Sequence, residues 1–269
     1  MNKKLVVLAA LSFSFLGAQA KVKLPHILGN NMILQQNAEA NLWGWDKPGT
    51  EVNVTASWSS QKWTAKTDKD GKWQVKVQTP KASYTPLSIT FDDGEPVTLS
   101  NILAGEVWVC AGQSNMEMPV KGFGNCPVEG YNKAVVEANQ YKGIHYVKIP
   151  SVMSNKPLDD ASCEWKEISP ETVGEASATG YFFAQIVNKA LDIPVGLVMA
   201  NKGGTRVESW LDRDYLKKNT KEETDSAKIV KSKKFKWDFH YPLLWGNGTF
   251  HPILNYTVKG ILFYQGCSN

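Results

Sequence analysis

The stretch Glu106–Met116 has the sequence EVWVCAGQSNM and decides the fold of the second half of the chain. Its first part, Glu106–Ala111, is an apolar run of strand length, and Gly112–Met116 follows as a polar turn. A short apolar run that ends at a glycine turn is typical of a strand buried inside a sheet. The stretch therefore predicts a buried strand whose carboxyl end carries Ser114.

Strand and helix patterns alternate on either side of later turns. Ile144–Ile149, Val195–Ala200 and Gly260–Tyr264 are further short apolar strand candidates, and Ser177–Leu191 has helical periodicity. Strands that alternate with helices form a mostly parallel sheet covered on both faces. Residues 104–269 are therefore predicted to form an α/β domain, and an incomplete one.

The first half of the chain has strand patterns only. Apolar and polar residues alternate in 52–58, 73–77 and 87–91, and the breaks between them contain pairs such as Asp70-Gly71 and Asp93-Gly94. Such alternation indicates strands with one buried face, and these pairs favour turns. Short strands at this spacing predict a small antiparallel β-sandwich over residues 21–103.

Residues 1–20 have the order of a secretory signal peptide. Lys3 and Lys4 precede the apolar run Leu5–Leu16, and Ala18–Ala20 fits a small-x-small cleavage site. The run is too short to cross a bilayer, and no cysteine at the cleavage point suggests a lipid anchor. We therefore expect cleavage near Ala20, a secreted or periplasmic location and no membrane anchor.

The charge balance argues against a polyanionic partner. Without the signal peptide the chain has 28 basic and 26 acidic side chains, a formal net charge of +2. So small a surplus gives no reason to expect nucleic acid or an anionic membrane as a partner.

The four cysteines do not form a dense disulfide pattern. Cys110 lies in the apolar strand and is predicted to be buried, whereas Cys126 and Cys163 are candidates for a disulfide that spacing alone leaves open. No pair has zinc-ligand spacing with a nearby histidine, and no phosphate-binding or dinucleotide motif is present. We expect neither a metal nor a cofactor.

Three polar, glycine-containing turns follow three of the predicted strands. They are Gly112–Met116, Asn201–Thr205 and Gln265–Asn269. Because the carboxyl ends of parallel strands share one edge of a sheet, we expect the three turns to meet there, at the place where such sheets bind ligands.

A serine at this edge can attack an acyl carbon if hydrogen-bond donors face the developing oxyanion. Backbone N–H groups at a glycine turn suit that task, and the Asn269 amide is a further candidate donor. Met116 stands where a G-x-S-x-G elbow needs glycine, so the motif is not that of α/β-hydrolases. The alternative is that serine, glycine and asparagine are present only because turns favour them.

Three sequence blocks resemble the signature blocks of bacterial sialate O-acetylesterases, which belong to the SGNH hydrolases. They are Val107–Met116, then Gly203–Thr205 with Glu208–Trp210, and finally Phe263–Asn269, which is similar to W-Y-Q-G-E-S-N. The resemblance implies a flavodoxin-like SGNH-hydrolase domain preceded by a β-sandwich. It also implies an esterase that removes O-acetyl groups from sialic acids or other acetylated glycans.

Carried over residue by residue, the resemblance makes Ser114 the nucleophile. The oxyanion hole would then use the Ser114 backbone N–H, the N–H of Gly203 or Gly204, and the Asn269 amide. The blocks do not separate the two glycines.

Two departures from the family pattern bear on activity. Cys267 stands where the family usually has glutamate. The family's base comes from a later D-x-x-H block, which is not found up to Asn269, and none of the four histidines (His26, His145, His240, His251) fits that role. We therefore expect residues 104–269 to lack the C-terminal part of the catalytic domain, including the base histidine and aspartate.

Two further interpretations stay open at this point. One is a catalytically inactive fragment, because a serine without a base is a poor nucleophile. The other is a non-catalytic carbohydrate-binding protein, suggested by the ten tryptophans. The sequence does not predict the oligomeric state.

Overall fold

A computed structural model describes residues 21–269 of the chain, so the predicted signal peptide lies outside the described residues. This part of the chain contains eleven strands: β1 Ile33–Gln35, β2 Glu39–Trp45, β3 Glu51–Ala56, β4 Ser59–Lys66, β5 Lys72–Gln78, β6 Ser83–Asp92, β7 Val97–Gly112, β8 Ile144–Lys148, β9 Trp165–Glu167, β10 Val195–Asn201 and β11 Gly260–Tyr264. Its α-helices are α1 Ser114–Glu117, α2 Tyr131–Glu137, α3 Ala178–Leu191, α4 Arg213–Asn219 and α5 Ser226–Lys231. None of the helices in residues 21–269 combines the length and the hydropathy that crossing a membrane requires.

The long strand β7 joins the two halves of the chain. Its first part pairs antiparallel with β6 and parallel with β1. Its last part, which includes the predicted strand Glu106–Ala111, pairs parallel with β10 and β11. The predicted boundary between residues 103 and 104 thus falls inside one continuous strand, and the division into two domains stays a prediction.

The strands predicted in the first half are confirmed. β3, β6 and β7 form an antiparallel sheet with β4 at its edge, and β2 pairs with β5 in a separate two-stranded sheet. The two sheets share one apolar core, in which the rings of Trp73 and Phe91 lie 5.7 Å apart. Burial follows the predicted alternation, because Val52 and Val54 are inaccessible while the residues between and after them are not.

The second half is a mixed α/β structure, as predicted. Parallel strands lie in the spatial order β11-β7-β10-β8, and β9 extends the sheet antiparallel to β8. Numbered along the chain, this order is fourth, first, third, second. The strands that precede the three predicted turns are β7, β10 and β11, and β7 lies between the other two.

The long connections between the strands produce this order. The connection 113–143 leads from β7 to β8, which lies two positions away from β7 in the sheet. Helix α3 then leads to β10, which lies between β7 and β8. Hydrophobic periodicity does not predict this order, because a different order could bury the same strand faces.

Helix α3 covers one face of the parallel sheet. Ser177, the residue before α3, caps it through its Oγ, which accepts a hydrogen bond from the Gly180 N–H at 3.2 Å. Gly180 allows close packing, because a Cβ there would lie 2.7 Å from Cys110 Sγ. The opposite face, including Val109 and Val198, packs against the core of the first half.

The four cysteines are free thiols, so the candidate Cys126–Cys163 disulfide is not formed. Cys163 packs against the core that the two halves share. Cys126 lies exposed in a turn between Val120 and Val128, which belong to the core under α3 on the other face of the sheet. The two thiols therefore sit on opposite sides of the sheet. Cys110 is fully buried, as predicted.

Candidate active site

The three predicted turns meet at the carboxyl edge of the parallel sheet. The Gln113 N–H donates to the Tyr264 carbonyl at 3.0 Å, which joins the first turn to the end of β11. The Lys202 N–H donates to the Gly112 carbonyl at 3.0 Å, which joins the second turn to the first. Hydrogen bonds between backbone groups therefore hold the turns together, and the predicted convergence is confirmed.

Gly112 allows the first turn to pass close to β11. Its φ of 142° is unfavourable for other residues, and a Cβ at this position would lie 2.1 Å from the Tyr264 carbonyl oxygen. Ser114 then begins α1 and is half-buried. Within residues 21–269, neither the Ser114 hydroxyl nor its backbone N–H has a hydrogen-bond partner, so both groups are available to a ligand.

Gly203 lies directly against Ser114. A Cβ on Gly203 would be 3.6 Å from the Ser114 Cβ and 2.7 Å from Glu117 Oε2. The Gly203 N–H donates to the same carboxylate oxygen at 2.6 Å. Glu117 was not predicted as part of the site. Its spacing of three residues from Ser114, which places both on one side of a helical turn, is the signal that could have identified it.

Gly204 has a different environment from Gly203. Its φ is 77°, and a Cβ there would lie 2.8 Å from the ring of Phe239. Its N–H has no acceptor among the residues that the structure describes. Of the two candidate oxyanion glycines, only Gly204 therefore has an available N–H.

The third turn contacts the second through side chains. Gln265 Nε2 donates to the Thr205 carbonyl at 3.0 Å. Asn269 Oδ1 accepts from the Val207 N–H at 3.0 Å, and Asn269 Nδ2 donates to Glu208 Oε2 at 2.8 Å. One of the two amide N–H groups of Asn269 is thus used by Glu208.

Ion pairs connect charged side chains of the segment that follows the second turn. Arg206 pairs with Glu208 at 3.0 Å and with Glu222 at 2.9 Å, and Lys234 also pairs with Glu222 at 2.9 Å. Burial raises the pKa of Glu222, but hydrogen bonds from Lys234 and Arg206 outweigh it, and the pKa lies below its ordinary value. These ion pairs tie the connection 212–241 to the glycine turn.

None of the four histidines hydrogen-bonds to Ser114 in residues 21–269. His26 and His251 each use Nδ1 at 2.7 Å, to a carboxylate and to a backbone carbonyl respectively. His145 is buried in β8, where burial lowers its pKa, and His240 packs edge-on against Phe239. Across the same residues, no three or more His, Cys, Asp or Glu side chains come together as a metal site.

A serine at the end of a buried parallel strand, facing a glycine turn with an available N–H, is the arrangement typical of α/β serine hydrolases. The model of the family "Carbohydrate esterase, sialic acid-specific acetylesterase" matches residues 104–269, more than half of the chain. The chain therefore belongs to this family of carbohydrate esterases, which confirms the resemblance found in the three sequence blocks.

Similar proteins cover almost all of the described chain. Human sialate O-acetylesterase is 28% identical over 90% of this chain and 48% of its own length, and the mouse protein is 26% identical over 90% and 51%. The crystal structure of a carbohydrate acetylesterase from Xanthomonas citri matches with a TM-score of 0.77 and 29% identity, over 93% of this chain and 52% of that one. The chain thus spans about half the length of these relatives.

Proposed function

We propose that this protein removes O-acetyl groups from sialic acids or other acetylated glycans, with Ser114 as the nucleophile. The observation that carries the proposal is the position of Ser114. Ser114 stands at the carboxyl edge of the sheet, where a Cβ on Gly203 would lie 3.6 Å from the Ser114 Cβ, and its hydroxyl has no partner within residues 21–269.

The reaction is an acyl transfer in two steps. Ser114 Oγ forms a bond to the acetyl carbonyl carbon while its proton passes to a base, and the carbon–oxygen bond to the sugar then breaks as the sugar oxygen takes that proton. Water, losing a proton to the same base, attacks the acetyl-serine ester. Acetate leaves, and Ser114 Oγ regains a proton.

The negative charge on the carbonyl oxygen needs donors that are not already used. The Ser114 and Gly204 N–H groups meet this condition within residues 21–269, whereas the Gly203 N–H is bonded to Glu117. The Asn269 amide has one N–H left after its bond to Glu208, and it is the third donor in this proposal. Loss of one such donor typically costs about 100- to 1000-fold in rate.

The base is proposed to come from a D-x-x-H block downstream of residue 269, as the family resemblance implies. Support comes from the four histidines, none of which hydrogen-bonds to Ser114 in residues 21–269: His26, His145 and His251 bond to other groups, and His240 packs against Phe239. In this proposal residues 104–269 are the first part of an SGNH-hydrolase domain, and residues 21–103 form the β-sandwich that precedes it. Residues 1–20 direct the protein out of the cytoplasm.

The test is acetate release from an O-acetylated sialic acid by the product of the whole gene. Ser114→Ala should lower the rate at least about 1000-fold, because the residual rate comes from binding and the oxyanion hole alone. Ser162→Ala is the matched control, since Ser162 is exposed and is far in sequence from each of the three turns. An unchanged rate in Ser114→Ala, or glycan binding without any turnover by the unaltered protein, would refute the proposal.

A further inference from the structure

Thr205 follows the glycine turn 203–204 and is completely buried. Its hydroxyl donates to the Lys202 carbonyl at 2.8 Å and accepts from the indole N–H of Trp210 at 3.0 Å. Because an indole nitrogen can only donate, the single hydroxyl proton of Thr205 is directed at Lys202. The Thr205 carbonyl accepts from Gln265 Nε2 at 3.0 Å, so Thr205 bonds both to its own turn and to the third turn.

The hydroxyl of Thr205 closes the turn in place of a backbone hydrogen bond. In a four-residue turn, the N–H of the last residue often bonds to the carbonyl of the first. Among residues 21–269 no backbone N–H donates to the Lys202 carbonyl, which accepts from the Thr205 side chain instead. The turn 202–205 therefore depends on one hydroxyl for its closing bond.

The two glycines at the centre of this turn can adopt more than one orientation. The φ of 77° at Gly204 is close to the value of about 80° that a type II turn has at its third residue. Type I and type II turns differ by a rotation of their central peptide, and glycine permits both. Here the central peptide joins Gly203 to Gly204, so the rotation would point the Gly204 N–H to the opposite side of the turn.

Hydrogen bonds on either side of the central peptide restrain it. The Gly203 N–H donates to Glu117 Oε2 at 2.6 Å before it, and the Thr205 hydroxyl bonds to Lys202 after it. The Gly204 N–H itself has no acceptor among the described residues. The orientation of this N–H therefore depends on its two neighbours.

We propose that Thr205 is a positioning residue, which holds the Gly204 N–H in the orientation that donates to the oxyanion. The inference rests on the proposed function, because it takes Gly204 as an oxyanion donor. Without the hydroxyl, the Lys202 carbonyl loses its acceptor bond and the two glycines sample both orientations. A donor that is correctly oriented for only part of the time stabilises the transition state less, but substrate binding changes little.

Thr205→Val removes the hydroxyl and replaces it with a methyl group of similar size. In the whole gene product, kcat should fall about 10- to 100-fold with little change in KM, since one oxyanion donor is impaired but not removed. The fall should occur with O-acetylated sialic acid and with 4-nitrophenyl acetate, because both esters form an oxyanion on the same acetyl group. Thr205→Ser keeps the hydroxyl and should recover most of the lost kcat.

Thr79→Val is the matched control in the first half of the chain. Thr79 is also buried, and its hydroxyl also bonds to backbone groups, the Gln35 carbonyl at 2.6 Å and the Ala38 N–H at 3.0 Å. This variant should lower the melting temperature without lowering kcat. An unchanged kcat in Thr205→Val would overturn the positioning role, as would an equal loss of kcat in Thr205→Ser or in Thr79→Val.

The ¹⁵N relaxation of the Gly204 N–H tests the same inference without requiring turnover. Gly204→Ala assigns the signal, because it removes that signal from a sample labelled with ¹⁵N-glycine. In Thr205→Val we expect a lower order parameter or new relaxation dispersion at Gly204, and Thr205→Ser should restore the original values. Unchanged chemical shift and relaxation in Thr205→Val would overturn the inference. If the unaltered protein hydrolyses neither ester, the proposed function fails, and relaxation still decides whether Thr205 orders the turn.

Discussion

Glu117 links the turn that carries Ser114 to the glycine turn through its 2.6 Å bond from the Gly203 N–H. Glu117→Ala removes the acceptor and frees the glycine turn from α1. We expect kcat to fall about 10- to 100-fold with a smaller change in KM, because a misplaced Gly204 N–H acts mainly in the transition state.

Glu117→Gln distinguishes geometry from charge. Its amide oxygen still accepts from Gly203, so this variant should recover most of the lost kcat. Glu129→Ala removes an exposed carboxylate that has no bond to the turns within residues 21–269, and it should have no effect. Equal kcat in Glu117→Ala and the unaltered enzyme would contradict the positioning role.

The chemical environment of each thiol predicts its reactivity. Burial raises the pKa of Cys110 to about 12, and burial together with nearby Asp160 raises the pKa of Cys163 to about 12. Cys126 and Cys267 are exposed. Since the thiolate is the reactive form, a thiol reagent at pH 8 should modify two cysteines rapidly and the other two only after denaturation.

Mass spectrometry of the modified protein checks this assignment. Rapid labelling of Cys110 in the folded state, or only two reactive thiols after denaturation without reductant, would contradict it.

At the scale of single residues, the sequence predicted which residues lie at the site better than it predicted the hydrogen bonds that they form. Ser114 and the glycine turn were identified because strand–turn order fixes where they lie. The difference between Gly203 and Gly204 was not predictable, because it depends on the Glu117 carboxylate and on Phe239, which is 35 positions away in the sequence. Asn269 was predicted as a donor, but its bond to Glu208 was not.

At the scale of secondary structure, hydrophobic periodicity predicted where the helices and strands occur and how long they are. It did not predict which strands are neighbours in the sheet. Helix α3 and strands β8, β10 and β11 occur within one residue of the predicted limits, because apolar runs and turn residues mark both ends. Strand β7 begins nine residues earlier than predicted. The order of β10 and β8 in the sheet was not predicted, since pairing between strands depends on contacts distant in sequence.

Gly112 sets the distance between β7 and β11. Gly112→Ala places a Cβ against the Tyr264 carbonyl at 2.1 Å and strains a φ of 142°. We expect the free energy of unfolding to fall by about 3–5 kcal/mol, from backbone strain and steric overlap together. Urea unfolding followed by circular dichroism measures the change.

Gly49→Ala separates the two causes of destabilisation. Gly49 has a φ of 83°, but a Cβ on it would meet no atom of residues 21–269 within 4 Å, so only conformational strain of about 1–2 kcal/mol is expected. Equal losses in the two variants would show that contact with β11 contributes nothing.

At the scale of the whole described chain, we expect residues 21–269 to self-associate through the outer strand β11. Among residues 21–269 it pairs only with β7, and Ile261 and Phe263 are 53% and 60% exposed. An unpaired edge with exposed apolar side chains favours pairing with another chain. We expect residues 21–269 to associate with rising concentration, measured by light scattering coupled to size-exclusion chromatography.

Phe263→Lys should shift this protein toward the monomer, because a charge on an edge strand opposes pairing. Tyr215→Lys is the control, since Tyr215 is 51% exposed on α4, away from the edge. A cooperative, concentration-independent monomer before any substitution would contradict the prediction.

The continuous strand β7 also limits how such a protein can be rearranged in evolution. A gene fusion joins modules safely where a loose linker separates them, but a crossover inside Val97–Gly112 would cut the pairing of β6 and β1 on one side and of β10 and β11 on the other. The strand-only half and the Ser114 half are therefore expected to be inherited together, and chimaeras that exchange one for the other should keep β7 whole.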